Sequence, residues 1–251
     1  MKKKLALILA GTAMAAMVLA GCGDKNNASG EDVKTAESVE DKKTFTVGFD
    51  AEYPPYGYMD ENGEYTGFDL ELAEAVCKLE GWELVKKPLN WDSKDMELNS
   101  GSIDCIWNGF TMNGREDDYT FSTPYVDNSQ VIVVAEKSGI DTLEDLAGKT
   151  VGVQAASAAL DLLKSEEEGG QKKLADTFGA LNEFADYNTA FTELQAGALD
   201  ALAIDVGVAN YQIKSRGEGY KILDETLNTE QYAIGFKKGN QELCDVVNAD
   251  L

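Results

Sequence analysis

The sequence predicts an α/β protein of two similar lobes, with two chain crossings between the lobes and a cleft where they face each other. Three observations carry this prediction. Candidate strands and helices alternate along the chain, which is typical of α/β layers with mostly parallel sheets. A short sequence pattern occurs once in each half of the chain. Two apolar segments, at 131–135 and 232–236, are placed to cross between the halves, and such paired crossings form a hinge.

The first half of the predicted fold starts near residue 43. Its elements are, in order, a strand at 44–49, a Pro-rich loop at 51–57, an Asn-Gly hairpin turn at 62–63, a helix from residue 69, a strand at 82–88, a helix at 96–99 that ends at Gly101, and a strand at 103–107. In the longest helix, the spacing of Leu72, Val76 and Leu79 predicts one buried face.

The second half repeats this order. Its elements are a short helix at 141–146, a strand at 150–154, a helix at 157–164, a helix at 191–195 that ends at Gly197, and a strand at 199–204. The pattern Glu-Leu-x-x-Gly-x-Ile-Asp that starts at Glu97 returns as Glu-Leu-x-x-Gly-x-Leu-Asp at Glu193. Helix–glycine–strand units look alike in many α/β proteins, but the shared acid at the strand entrance favours an internal duplication. We therefore expect one lobe at 43–133 plus 234–251 and the other at 134–233.

The first 42 residues read as targeting and tether segments rather than fold. Three lysines precede an apolar run at 5–19, which is short for a membrane span and typical of a secretory signal. The tetrapeptide that ends at Cys22 resembles a bacterial lipobox, which predicts a signal peptide at 1–21, a lipidated Cys22 and a polar tether at 22–42. The alternative is plain export, with Cys22 an ordinary thiol.

The composition excludes several classes of function. The 251 residues include 45 acidic and 22 basic side chains and no histidine, and the net charge of −23 repels nucleic acid. Without histidine the chain has no Ser-His-Asp triad and lacks the commonest metal ligand. No phosphate-cradling glycine loop is present, so ATP hydrolysis would belong to a partner. We expect no cofactor and no metal site, and we read Cys77 and Cys105 as small buried residues.

The cleft is expected to collect polar residues from the carboxyl ends of the predicted strands, where ligands bind in parallel α/β sheets. Asp50 and Asp205 each follow a strand, and Arg115 lies just beyond the end of another. One fixed cation and two carboxylates complement the carboxylate and the ammonium of one small molecule. Ser157, at the start of a helix, offers a further contact for that carboxylate.

Several motifs then resemble one family, and they keep its order from residue 43 to the end of the chain. They are Gly48-Phe49-Asp50-x-x-Tyr53-Pro54-Pro55-Tyr56, Gly67-Phe68-Asp69-Leu70-x-Leu72-Ala73, Trp107-Asn108-Gly109-Phe110-Thr111, Phe121-Ser122-x-Pro124-Tyr125 and Gly148-Lys149-x-Val151-Gly152-Val153-Gln154. The chain resembles the polar amino-acid-binding proteins of ABC importers, bacterial extracellular solute-binding family 3. The resemblance implies the type II periplasmic-binding-protein fold and a non-enzymatic receptor for a polar L-amino acid. It also implies an ABC permease and its ATPase subunit as partners, a monomer, and a position outside the cytoplasmic membrane.

The resemblance also assigns roles to residues. The family's arginine that clamps the ligand carboxylate falls on Arg115, with Thr111 and Gly109 as neighbours. The acids for the α-amino group fall on Asp50 and Asp205. The aromatic walls fall on Tyr53 and Trp91, with Asn108 facing the same space and Ser157 as the hydroxyl of the second lobe. Two departures stand out: the spacing from Thr111 to Arg115 is one residue short, and the second-lobe loop reads Ala-Ser-Ala instead of Gly-(Ser/Thr)-Thr.

Each of these residues has a structural alternative. Arg115 could pair at the surface with Glu116 or Asp117, Asp50 could cap a turn, and Asp205 could cap the helix that follows it. Tyr53 and Trp91 could be core aromatics. For the whole chain, the alternatives are an enzyme on the same fold, such as a dehydratase, or a ligand-sensing module. The apolar face at 243–251 has no helix cap, from which we expect a missing C-terminal segment of the first lobe.

Overall fold

The structure is a computed structural model that describes residues 39–217 and 219–251. The expectations for the signal peptide, for Cys22 and for most of the tether lie outside these residues. The strands are β1 (Thr44–Phe49), β2 (Glu52–Tyr53), β3 (Gly57–Met59), β4 (Tyr65–Thr66), β5 (Glu83–Pro88), β6 (Cys105–Ile106), β7 (Tyr119–Phe121), β8 (Val126–Ala135), β9 (Thr150–Gln154), β10 (Ala180–Phe184), β11 (Ala201–Asp205), β12 (Tyr220–Ile222), β13 (Asn228–Tyr232) and β14 (Gly235–Lys237). The α-helices are α1 (Phe68–Glu80), α2 (Lys94–Ser100), α3 (Ala158–Lys164), α4 (Lys172–Ala175), α5 (Tyr187–Ala196), α6 (Val206–Arg216) and α7 (Gln241–Asp250). Short 3₁₀ helices lie at Val39–Asp41, Trp91–Ser93 and Glu144–Leu146.

The first sheet has the strand order β5–β1–β6–β14–β7. β1 runs parallel to β5 and β6, whereas β14 runs antiparallel to β6 and β7. Apolar side chains of α1 and α7 are buried against Phe45 and Val47 of β1, and Leu98 of α2 is buried with Ile106 in a second cluster. We call β1–β7, β14, α1, α2 and α7 the first lobe.

The second sheet has the order β10–β9–β11–β8–β12, and β13 also pairs with β8. β9 runs parallel to β10 and β11, and β8 runs antiparallel to β11 and β12. Position by position, this order repeats that of the first sheet, with β9 in the place of β1 and β8 in the place of β14. The predicted α/β architecture with two similar halves is confirmed. We call β8–β13 and α3–α6 the second lobe.

The chain passes from one sheet to the other twice. All of β8 pairs with strands of the second sheet, so the boundary that we predicted at residue 133 falls inside a second-lobe strand. The change of sheet comes earlier, between Phe121 and Val126. The physical reason is that residues 131–134 are at most 2% exposed, and so apolar a run belongs inside a sheet rather than in a connection. The return lies between Tyr232 and Gly235, beside the boundary predicted at 233–234.

The acid that both halves share has the same structural role in each. Asp104 Oδ2 accepts the Thr46 N–H at 2.7 Å, and Asp200 Oδ2 accepts the Thr150 N–H at 2.8 Å. In both lobes the carboxylate thus fastens the start of the neighbouring parallel strand. This shared bond explains why the sequence pattern was visible in both halves.

The buried face of α1 differs from the one that we predicted. The buried apolar residues of this helix are Leu70, Ala73, Val76 and Cys77. Leu79 is 69% exposed and Leu72 is only half-buried, so the prediction was right for Val76 alone. The cause is Asp69, which is fully buried at the start of the helix and turns the neighbouring stripe toward the sheet.

The cysteines at positions 77, 105 and 244 are buried and unpaired. Burial raises the pKa of all three thiols, which keeps them protonated and unreactive. The reading of Cys77 and Cys105 as small buried residues is confirmed.

Candidate functional site

A cavity of about 10 Å³, room for about one water molecule, lies where the strand ends of the two sheets face each other. Its lining residues are Asp50, Tyr53, Trp91, Asn108, Gly109, Thr111, Arg115, Gln154, Ser157, Ala158 and Asp205. All nine ligand-binding residues that the sequence predicted are among them, and Gln154 and Ala158 are additions. The structure thus brings the predicted set together in one place, around little free space.

The topology explains this convergence. Asp50 directly follows β1, Gln154 is the last residue of β9 and Asp205 is the last residue of β11, so three parallel strands end at the cavity. The loop at 108–111, which follows β6, supplies the rest of the first-lobe wall. Carboxyl ends of parallel strands are the usual ligand sites of α/β folds because their edge is open to a facing element.

The loop at 108–111 is held in position by a buried acid of α1. The Gly109 N–H donates to Asp69 Oδ2 at 2.5 Å, and Asp69 is fully buried. Burial raises the pKa of the Asp69 carboxyl to about 7, although this backbone bond acts in the opposite direction. Gly109 has a φ of 56°, and a Cβ there would lie 3.0 Å from the rings of Tyr53 and Tyr232. Glycine is therefore needed at this position.

Asp50 joins the two lobes and also closes a local turn. Its Oδ1 accepts the Glu52 N–H at 2.8 Å, and its Oδ2 accepts from Gln154 Nε2 of the second lobe at 2.6 Å. The Asp50 N–H donates to Asn108 Oδ1. Burial raises the pKa of Asp50 to about 6 against the effect of these hydrogen bonds. The turn-capping alternative and the cavity position therefore coexist.

Asp205 is part of a buried network that includes a second acid, Glu230 of β13. The Asn128 and Gln130 amide groups each donate to both Asp205 Oδ1 and Glu230 Oε1 at 2.7–2.8 Å. The Tyr232 hydroxyl also donates to Asp205 Oδ1, at 2.6 Å. Burial is the largest cause that raises the pKa of both carboxyls, and the Asp205 charge raises that of Glu230 further. Asp205 occupies the N-cap position of α6, but its side chain accepts no capping bond from the helix.

Arg115 pairs with an acid of the opposite lobe, and not with Glu116 or Asp117 as the surface alternative supposed. Its Nη2 lies 2.7 Å from Asp161 Oδ2 on α3, and its Nη1 donates to the Thr111 carbonyl at 3.4 Å. The guanidinium also lies over the Phe110 ring, 5.1 Å from the centroid. The Arg115 side chain is 13% exposed, so this cation is largely removed from water at the edge of the cavity.

The two predicted hydroxyl donors are already engaged within the protein. Thr111 Oγ1 donates to Glu230 Oε1 at 2.7 Å, and Ser157 Oγ donates to the Gln154 carbonyl at 2.8 Å. Ser157 Oγ also accepts the Leu160 N–H and so caps α3. A carboxylate in the cavity would therefore receive these hydroxyl protons only if they changed partners.

The predicted aromatic walls are both buried and both line the cavity. Trp91 is 8% exposed and meets the Phe110 ring edge to face, at a centroid distance of 5.8 Å. Tyr53 is 7% exposed and lies 6.1 Å from the ring of Tyr187 in the second lobe. Trp107 is fully buried and is not among the residues that line the cavity.

A buried lysine stands behind the Trp91 wall. Lys94, on α2, has only 5% of its side chain exposed; its Nζ lies 5.3 Å from the Trp91 ring centroid and 3.4 Å from the Ala156 carbonyl of the second lobe. Desolvation lowers the pKa of Lys94. Ala156 itself has a φ of 55°, in the left-handed region that favours glycine.

Sequence reasoning missed four polar residues of this site: Lys94, Gln154, Asp161 and Glu230. Gln154 could have been found, because it ends a strand that was predicted at its observed bounds. The other three lie within helices or strands away from the motif positions, and their roles depend on contacts between the lobes.

In the described ranges 39–217 and 219–251, no cluster of acids and cysteines is placed to hold a metal ion. No helix of the described residues has the length and apolarity of a membrane span.

Chemically, the site offers contacts to a small zwitterion, since its lining includes one cation, Arg115, and two carboxylates, Asp50 and Asp205. The comparisons with known proteins agree with this geometry. The chain is 30% identical to the L-cystine-binding protein TcyJ of Escherichia coli (strain K12) over 238 residues, which is 94% of this chain and 85% of that protein. It is 32% identical to the arginine-binding extracellular protein ArtP of Bacillus subtilis (strain 168), over 100% of this chain and 92% of that one.

A solved structure shares the fold as well. The crystal structure of an ABC uptake transporter substrate binding protein from Streptococcus pneumoniae with bound histidine matches with a TM-score of 0.78 and 34% identity, over 84% of this chain and 87% of that one. These proteins have the type II periplasmic-binding-protein fold, and they are receptors rather than enzymes, as we expected. The sequence profile of the family matches residues 45–251. The chain belongs to the bacterial extracellular solute-binding proteins, family 3.

Proposed function

We propose that this protein captures a polar L-amino acid in the cavity between its two lobes. One observation carries the proposal: the Arg115 guanidinium and the carboxylates of Asp50 and Asp205 line the same cavity between the two lobes. An α-carboxylate would bind the Arg115 guanidinium, and an α-ammonium would bind Asp50 and Asp205. Charged hydrogen bonds contribute about 1.5–3 kcal/mol each, so three or four of them supply the roughly 8 kcal/mol of micromolar affinity.

The side chain of the ligand would extend toward Trp91 and Tyr53, beside Asp50. Burial is the main cause of the raised pKa of Asp50, and the charges of Asp186 and Glu52 add to it, so the potential beside Asp50 is negative. Trp91 and Tyr53 offer flat faces to which a cation is attracted. We therefore expect a ligand with a positively charged side chain to bind more tightly than a neutral one, and an acidic one to bind least.

Binding would close the lobes, because the proposed contacts come from both of them: Arg115 and Asp50 from the first lobe and Asp205 from the second. Only a ligand that binds the closed form more tightly can shift the equilibrium toward it. The closed form would then dock on an ABC permease driven by a separate ATPase. Lipidation of Cys22 would hold the receptor, as a monomer, on the outer side of the bacterial cytoplasmic membrane.

Thermal unfolding with each of the twenty L-amino acids tests the proposal. A bound ligand at a hundredfold excess over its Kd stabilises the folded state by about 2.7 kcal/mol, which corresponds to a rise in Tm of roughly 5–10 °C for a chain of this size. We expect L-arginine, L-lysine or L-histidine to give the largest rise, and L-aspartate and L-glutamate the smallest. If none of the twenty changes the Tm, the proposal is wrong.

The anchor has its own test. Mass spectrometry of the N-terminal peptide from membrane-bound protein should find Cys22 with a diacylglyceryl group. The Cys22→Ser variant should appear in the soluble fraction. A soluble wild-type protein with a free Cys22 thiol would contradict lipidation and leave the amino-acid site unaffected.

A further inference from the structure

We propose that Asp161 is a closure residue: from the second lobe it pairs with Arg115 of the first, so that it orients the guanidinium and holds the closed arrangement. The inference rests on the proposed function, since it assumes that Arg115 receives the ligand carboxylate. In this role Asp161 positions Arg115 and does not itself contact the ligand.

The geometry of the ion pair supports this role. Asp161 Oδ2 and Arg115 Nη2 are 2.7 Å apart, across the boundary between the lobes, and the two residues are 46 positions apart in the chain. The Thr111 carbonyl accepts a hydrogen bond from Arg115 Nη1. A guanidinium has five N–H groups, so after these two bonds both terminal nitrogens and Nε still have a hydrogen for a bidentate bond to a carboxylate. Asp161 thus holds the guanidinium and leaves three of its N–H hydrogens for a ligand carboxylate.

Electrostatics also favour the Arg115–Asp161 ion pair. Closure buries two neighbouring cations of the first lobe, Arg115 and Lys94, whose side chains are 13% and 5% exposed. Their mutual repulsion and their loss of water both oppose closure. Asp161 is close enough to act on the Lys94 ammonium as well as on Arg115. Asp161 therefore offsets part of the cost of burying Arg115, and it adds to Asp95 of the first lobe, which lies 3.7 Å from Lys94 Nζ, in offsetting the cost of burying Lys94.

A residue with this role has a recognisable effect on binding. Asp161 acts on the part of the site that would hold the α-carboxylate, which all amino acids share. Removal of the Asp161 carboxylate should raise the Kd of every amino acid by the same factor and leave the order of their affinities unchanged. Because the Asp161 side chain is 63% exposed, solvent screens the pair, and we expect a factor of about three to ten. The loss should appear mainly as faster dissociation.

The chain offers a matched control on the same helix. Lys164 Nζ and Glu183 Oε1 are also 2.7 Å apart, but both residues belong to the second lobe. The Asp161→Asn and Glu183→Gln variants each remove one negative charge and nearly no volume. Kd and dissociation rates would be measured for L-arginine, L-histidine and L-glutamine, at low and at high salt.

Asp161→Asn should raise all three Kd values three- to tenfold, less so at high salt, whereas Glu183→Gln should leave them within 1.5-fold. Asp161→Glu should restore part of the affinity. An unchanged Kd in Asp161→Asn, a changed ligand order, or an equal effect of Glu183→Gln would overturn the inference.

A second readout separates this inference from the proposed function. If the wild-type protein binds none of the three amino acids, the proposed function fails while the closure residue can still be tested. Hydrogen–deuterium exchange of the protein without ligand would then compare residues 109–115 and 155–161 in the two variants. Faster exchange at both segments in Asp161→Asn alone supports the closure role, and equal exchange in both variants contradicts it.

Discussion

The two lobes are built on the same frame but contribute different chemistry to the cavity. Their sheets have the same strand order, and in each an acid fastens the neighbouring strand. The helix before that acid ends in each lobe at a glycine with nearly the same conformation, with φ 75° at Gly101 and φ 76° at Gly197. Each of these glycines donates its N–H to the last helical carbonyls, as helix C-caps do.

The agreement extends to packing inside the strands. A Cβ on Gly48 of β1 would lie 2.5 Å from Ile103 Cδ1, and one on Gly152 of β9 would lie 2.5 Å from Leu199 Cδ1. Ile103 and Leu199 are matching positions of the two pattern copies. In both lobes the strand therefore has a glycine because a buried aliphatic side chain crosses over it.

The difference lies at the strand ends. The first lobe supplies the cations Arg115 and Lys94 together with the acid Asp50, and the second supplies the acids Asp161 and Asp205. The duplication thus preserves the residues that hold the sheets together, while the charged residues that reach the cleft have diverged. A repeat pattern in a sequence is evidence about the frame and says little about what the cleft binds.

The largest expected effect comes from the only two arginines of the sequence, one in each lobe. Both lie over a phenylalanine ring, Arg115 at 5.1 Å from Phe110 and Arg216 at 5.3 Å from Phe191, but only Arg115 lines the cavity. Arg115→Ala should weaken amino-acid binding about 100-fold or more, because it removes the bidentate partner of the carboxylate. Calorimetric titration would measure the change.

Arg216→Ala is the matched control, and it should bind within about twofold of the wild type. Equal affinity in the two variants would contradict the assignment of the carboxylate to the first lobe.

The next effect is a pH dependence of stability to which Asp69 of the first lobe contributes. The pKa of Asp69 is about 7 in the folded protein, above its ordinary value of 3.8, so the folded state binds a proton that the unfolded chain has released. Its contribution to stability is therefore complete below pH 4 and is lost as the pH rises to 7. Asp69→Asn keeps an acceptor for Gly109 and should flatten this decline, by on the order of 3 kcal/mol between pH 4 and 7.

Urea unfolding at a series of pH values would measure that change. Asp60→Asn is the control, since hydrogen bonds lower the pKa of this exposed carboxyl and its variant should not flatten the decline between pH 4 and 7. A wild-type stability that rises from pH 4 to 7, together with an unaltered profile in Asp69→Asn, would contradict the burial of a neutral Asp69.

The equivalence of the frames has a direct steric test. Gly48→Ala and Gly152→Ala should each lower the free energy of unfolding by about 1–2 kcal/mol, because buried side chains must move to admit the new methyl group. Ile103→Val removes the clashing Cδ1 and Leu199→Ala does the same in the second lobe. In each double variant the loss should be smaller than the sum of the single losses. A loss of stability from the substitution in one lobe alone would contradict the equivalence of the two frames.

The smallest effects concern two cleft loops that each contain a residue with a similar positive φ. Gly109 of the first lobe has φ 56° and Ala156 of the second has φ 55°. Ala156→Gly relieves the left-handed strain and should raise stability by about 0.5–1 kcal/mol, after the entropy cost of glycine in the unfolded chain. Gly109→Ala should lower it. Thermal unfolding would show the opposite signs, and a loss of stability in Ala156→Gly would contradict the strain.

Much of the frame could be predicted from the sequence, because it depends on local signals. The strands at 44–49 and 150–154 were predicted at their observed bounds, since apolar alternation and turn residues mark them. Helix rotation was harder: Leu79 has helical spacing, but a buried acid at Asp69 sets which face meets the sheet. The boundary at 133 was misplaced because an apolar strand looks the same whichever sheet it joins.

The residues of the site differ in the same way in whether the sequence could predict them. Residues that end strands or stand in family motifs, such as Asp50, Thr111 and Asp205, could be found along the chain. Partners such as Asp161 and Glu230 could not, because each acts across the lobe boundary on a residue distant in sequence. The geometry of closure, and not any local pattern, gives those residues their place.

A crystal structure grown with the amino acid that raises the Tm most would test the central claim most directly. We predict one molecule of it between the lobes, with its carboxylate within about 3 Å of the Arg115 guanidinium and its ammonium within about 3 Å of Asp205. The Arg115–Asp161 pair should still be present. A ligand bound outside the cavity, or held in it with its ammonium toward Arg115, would contradict the account.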